Sequence, residues 1–190
     1  MSTRWCVVLV KHQAEASPLC AQLDQVLLWP SNCVRMLQVN GAVAPSTINL
    51  IARCNTLRWL ELQINENAAV LEALTRWLTM TGLQLTTLCI SYRGVYHQDW
   101  RRLLEAVPSW LLSPSTSLVE LVLFACSQHR WSSDASYCTA VLDAIVHAVA
   151  TRAQQGRPCV NVSIFSVCDV ERQRALAEQL GVENVVRFAK

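Results

Sequence analysis

Hydrophobic and polar positions follow one phrase repeatedly along the chain: an apolar anchor, two free positions, then apolar-x-apolar. The clearest copy is Leu57-Arg58-Trp59-Leu60-Glu61-Leu62-Gln63-Ile64-Asn65. It recurs as Leu85-Thr86-Thr87-Leu88-Cys89-Ile90 and as Leu118-Val119-Glu120-Leu121-Val122-Leu123, with looser copies at Val34–Val39 and Val160–Ile164. Alternation with period two predicts strands whose anchors share one face and whose intervening residues share the other. Trp5–Val10 and Val182–Phe188 read as a first and a closing strand.

Between these phrases the period changes to that of a helix. Ser17-Pro18 opens a segment with Leu19, Leu23, Val26 and Leu27 on one face, and a short helix follows Pro45 with Ile48 and Ile51. Asn67 opens the next, striped by Val70, Leu71, Leu74 and Leu78. Asp99 is expected to cap a segment with Trp100, Leu103, Leu104 and Val107, and Pro108 to stop it. Asp134 or Ser136 opens the longest helix, with Cys138, Val141, Leu142, Ile145 and Val149 inward and Gly156-Arg157-Pro158 at its end. Asp169 opens the last, through Leu176 and Leu180 to Gly181.

The central apolar residues Leu37, Leu60, Leu88, Leu121 and Val162 are 23, 28, 33 and 41 residues apart. The longer intervals predict insertions at 92–98 with 110–116, and at 125–133. A doubly wound sheet is the competing arrangement, but it calls for glycine-rich phosphate loops. Five glycines and no G-x-G argue against it.

Leu57–Asn65, Leu85–Ile90 and Leu118–Leu123 resemble the leucine-rich repeat family, in the helix-backed form of ribonuclease inhibitor and F-box proteins, whose units run about 20–29 residues. The resemblance covers 34–166 and implies a short irregular α/β solenoid, with parallel strands on one face and helices on the other. It also implies a single domain over 1–190, with an N-terminal cap or degenerate first repeat at 1–33 and a C-terminal cap at 167–190. Asn65 stands at the ladder position of the first good repeat; Arg93 and Cys126 stand there in the next two. No F-box is expected before the repeats, since the N-terminal region already reads as repeat-like.

Composition narrows the function. With 52% hydrophobic and 16% charged residues the chain has the balance of a folded domain, not of a disordered one. A net charge of +2 gives no strong attraction to nucleic acid or membrane surfaces. No apolar run reaches the roughly 18 residues needed to span a bilayer, and Trp5–Val10 is too short for a secretory leader. Nine scattered cysteines, never spaced C-x-x-C, read as small core residues in a reducing compartment, so an intracellular and cytoplasmic location is expected. The sequon Asn161-Val162-Ser163 falls inside a predicted strand and reads as chance.

In a solenoid the residues between anchors form exposed rows. They are Met36, Gln38 and Asn40; Trp59, Glu61 and Gln63; Thr87, Cys89 and Ser91; Glu120, Val122 and Phe124; Asn161, Ser163 and Phe165. Aromatic anchors on a rigid face suit protein recognition. The expected partner-binding set is Trp59, Glu61, Gln63, Thr87, Cys89, Glu120, Val122, Phe124 and the loop residue Trp131; the alternative for Phe124 and Phe165 is an inward turn at the strand end. Trp29, Trp77, Trp100 and Trp110 are expected to wedge between helices and sheet.

Cys126 and His129 can be paired on paper, and His97 and His129 could be neighbours in consecutive insertions. No motif orients either pair, so no catalytic, cofactor or metal site is expected. A protein–protein interaction module follows. Substrate selection for a ubiquitin ligase and a constitutive place in a larger assembly are the alternatives.

Overall fold

The computed structural model describes residues 6–11, 34–40, 43–64, 68–80, 84–92, 97–114, 116–125, 135–165 and 169–189. Seven strands form one sheet: β1 (Cys6–Lys11), β2 (Val34–Asn40), β3 (Trp59–Ile64), β4 (Thr87–Tyr92), β5 (Glu120–Ala125), β6 (Asn161–Phe165) and β7 (Val186–Ala189). Among the described residues five helices connect them: α1 (Pro45–Ile51), α2 (Ala68–Thr79), α3 (His97–Leu112), α4 (Ala135–Gln154) and α5 (Val170–Gln179). The helix expected after Ser17-Pro18 lies outside the described residues.

Every strand pairs in parallel with the strand before and after it, so spatial order equals chain order. Parallel crossovers share one hand. Without a reversal of strand order, successive helices therefore stack on one side, each packed on the next. That is the expected short α/β solenoid, and it excludes the doubly wound alternative, which needs a switch point.

The repeated phrase explains the core. Its first anchors Val34, Leu57, Leu85, Leu118 and Val160 are buried, as are the strand anchors Leu37, Leu60, Leu88, Leu121 and Val162 beneath the helices. The strand anchors are in register across β2 to β6. Side-chain hydroxyls tie adjacent turns: Thr56 Oγ1 donates to the Val34 carbonyl at 2.9 Å, and Ser117 Oγ to the Leu85 carbonyl at 3.3 Å. Both stand one residue before an apolar anchor and reach the anchor of the preceding repeat. The helices bury Ile48 and Ile51, Val70, Leu71, Leu74 and Leu78, Leu103, Leu104 and Val107, and Val141, Leu142, Ile145 and Val149. Leu176 and Leu180 are partly buried, and Trp29 and the side chains of Trp100 and Cys138 lie outside the described residues. Trp77 and Trp110 join the core, and among the described residues their buried indole Nε1 atoms have no hydrogen-bond partner.

One expectation fails at α3. Pro108 does not stop it; the helix runs on to Leu112, and Asp99 lies inside it rather than capping it. An interior proline costs about 3 kcal/mol through the lost N–H bond and ring clash. Continuing the helix buries Trp110 and Leu111 completely, each worth about 1.5–3 kcal/mol. The helix end is also satisfied from outside. Arg152 of α4, itself buried, donates through Nη1 to the Leu111 carbonyl at 2.9 Å and through Nε to the Pro158 carbonyl at 2.6 Å. Arg157 donates to the Leu112 carbonyl at 2.9 Å and to that of Ser113. Trp110 and Leu111 are thus core helix rather than insertion, and Leu112 is the helix's exposed last residue. His97 opens α3, and Tyr92 is a buried strand residue, so neither lies in a loop.

Two helices end as their sequences predict. Gly156 and Gly181 take φ of +67° and +70°, and in each case the glycine amide and the next one close back on the last turn. Asp169 precedes α5 at φ +55° and makes no side-chain capping bond.

Candidate functional site

The pleat turns alternate residues of β2 to β7 away from the helices. Register then assembles them into rows that cross the strands. Met36, Trp59, Thr87, Glu120 and Asn161 are direct neighbours in one row. Gln38, Glu61, Cys89, Val122, Ser163 and Arg187 form the second. Gln63, Ser91, Phe124, Phe165 and Ala189 form the third. The expected binding residues on the strands therefore do come together on one face. Trp131, with Cys126 and His129, lies outside the described residues, as do the ladder positions Asn65 and Arg93.

The inward alternative for Phe124 is wrong: its side chain is 45% exposed. Phe165, on the next strand, is half-buried against it, with ring centroids 6.0 Å apart and planes tilted by 54°. This tilted pair presents a continuous apolar patch at one end of the face. Trp59 lies half-buried at the other, and Val122 lies between them.

The middle of the face is polar and negative. Gln38 Nε2 donates to Glu61 Oε1 at 3.0 Å, fixing one carboxylate without neutralising it. Glu120 is exposed on β5. Among the described residues neither carboxylate has a cation within ion-pairing distance. Both act on the intervening Cys89. Partial burial, then Glu61, then Glu120, push its thiol up to about 11. Cys89 is therefore a neutral thiol at pH 7 and a weak nucleophile.

Sequence reading missed one member. The row containing Cys89 continues onto β7 as Arg187, which is exposed. The alternation Val186-Arg187-Phe188 carried that signal, but a closing strand was not extended into another row. The face thus has acids on β3 and β5 and a base on β7.

At the β7 edge an open groove of about 570 Å³ lies between Phe165, Phe188, Arg174 and Glu178. Two backbone groups on this edge are already engaged: the Val186 amide donates to the Val182 carbonyl at 3.0 Å, and Arg174 donates to the Phe188 carbonyl at 3.3 Å. Strand addition there meets few open partners. Among the described residues no group of three or more His, Cys, Asp or Glu is placed to hold a metal ion, and no helix is long and apolar enough to cross a membrane.

Fold and face together define a leucine-rich-repeat-type α/β solenoid. The tropomodulin C-terminal domain, solved in a structural-genomics study of Caenorhabditis elegans, is similar to it. The two superpose with a TM-score of 0.53 at 14% identity, over 87% of this chain and 92% of that one. No protein-family model and no curated protein matches the sequence.

Proposed function

We propose that this chain is a protein–protein interaction module that binds a partner through the exposed face of its parallel strands. The observation that carries the reading is the register-aligned surface from Trp59 to the Phe124–Phe165 pair, with Thr87 in the row of Trp59, Gln63 in that of Phe124 and Val122 in the row between. Parallel strands hold these side chains before the partner arrives, so few groups must be ordered on binding. A face whose central carboxylates have no cation in ion-pairing reach among the described residues repels phosphate backbones, which favours protein over nucleic acid. The neutral Cys89 thiol, with no oriented base beside it, favours recognition over catalysis.

In this reading the chain is one helix-backed leucine-rich repeat domain over 1–190, capped by 1–33 and 167–190 and working inside the cell. The test is quantitative capture from native cell extract by the purified chain and two variants. Trp59→Ala with Glu61→Ala should reduce partner recovery about tenfold while leaving the melting temperature unchanged. Ala144→Arg with His147→Glu, on the exposed side of α4, should not reduce it. The opposite pattern would move the binding surface to the helices.

A constitutive place in an assembly draws support from Met80, Leu112 and Val119, apolar residues exposed at helix ends and a strand start. Insolubility of the isolated chain, relieved by a co-expressed partner, is the result that reading requires.

A further inference from the structure

The strand face is not a uniform apolar surface. Its charges are sorted by position, and that order restricts what fits it. Glu61 on β3 and Glu120 on β5 flank Cys89, while Arg187 stands two strands beyond Glu120 on β7. The exposed Phe124 shares β5 with Glu120, and the half-buried Phe165 stands on β6, between that strand and the strand of Arg187. With strands roughly 4.8 Å apart, the centre of the acidic pair lies roughly 14 Å across the sheet from Arg187.

From this arrangement we infer that the partner segment carries a lysine or arginine that seats over Cys89 between Glu61 and Glu120. The same segment places an aromatic or aliphatic side chain against Phe124 and Phe165, and directs an acidic group toward Arg187. The inference rests on the strand face being the binding surface and names the chemistry that surface selects.

Complementarity supports each part. Neither carboxylate is neutralised by a cation among the described residues, and an incoming ammonium or guanidinium supplies the missing countercharge. Arg187 likewise has no acid within ion-pairing distance among the described residues. The reversed order of charges would set like against like at both ends of the face. The thiol between the acids adds no charge of its own, so the seat over Cys89 stays negative.

Affinity selection of a random extended-peptide library on the purified full chain tests this. The expected enrichment is of peptides with Lys or Arg followed, two to four residues on, by an aromatic or aliphatic residue. Replacing the basic residue of a selected peptide by Glu should weaken binding at least about tenfold, and so should high salt. Selection on Glu61→Lys, Glu120→Lys protein should enrich acidic peptides instead. Circular dichroism melting confirms that this variant folds, and Glu61→Gln, Glu120→Gln protein serves as the conservative pair.

Binding lost in Phe124→Ala and Trp59→Ala protein but indifferent to charge would overturn the inference and leave the strand face as the binding surface. Binding indifferent to all of these residues would overturn both. Failure of basic peptides to enrich over charge-reversed ones counts against the inference in either case.

Discussion

Cys89 and Arg152 show how placement decides what a side chain can do. The folded value of the Cys89 thiol lies above its ordinary 9.0, so the native state holds a proton that the unfolded chain has released. Stability from this group is therefore full below pH 9 and is lost as pH rises through 11. Alkylation by iodoacetamide should follow the same midpoint, near 11, and Glu61→Gln with Glu120→Gln should lower it. A midpoint unchanged by those substitutions would leave burial as the sole cause. Arg152 acts mechanically: its guanidinium is buried on two carbonyls that have no other described donor. Arg152→Ala should lower unfolding free energy by about 2–4 kcal/mol in urea titration, because it leaves buried acceptors unpaired. Arg152→Lys should recover little of it, since one ammonium cannot span both carbonyls. Neither role was legible in the sequence. Arg152 reads there as a basic residue in a helix's last turn, and its partners lie across a chain reversal.

Element boundaries follow from the competition between local rules and burial. At α4 and α5 the two agree, and glycine at the expected position ends each helix. An added Cβ at Gly156 meets nothing within 4 Å, so Gly156→Ala should cost only the left-handed backbone penalty, about 1–2 kcal/mol by chemical denaturation. At α3 they disagree, and burial of Trp110 and Leu111 prevails over Pro108. Pro108→Ala restores an amide donor for the Leu104 carbonyl and should raise stability by about 1–2 kcal/mol; a loss would mean that proline shapes a bend the packing needs. The strands were legible because their alternation is strict and their anchors repeat. The extent of α3 was not, because a proline signal is local while the core that overrides it is assembled from several repeats.

Across the whole molecule, sequential parallel pairing converts a phrase in the sequence into a surface. Its period drifts from 23 to 41 residues, yet the strands stay in register, since the extra residues fall in connections and leave the ladder intact. The rows of the face could thus be written from the sequence, including Trp59, Glu61, Cys89 and Phe124. What could not be written was their extension to Arg187, which needs β7 to be paired with β6 rather than merely present. The strand-face claim is tested most directly by hydroxyl-radical footprinting of the chain alone and bound to a captured partner. Trp59, Cys89, Phe124 and Phe165 should lose reactivity on binding, with Met80 and Leu112 unchanged. Protection of Met80 and Leu112 with the strand residues still reactive would contradict it.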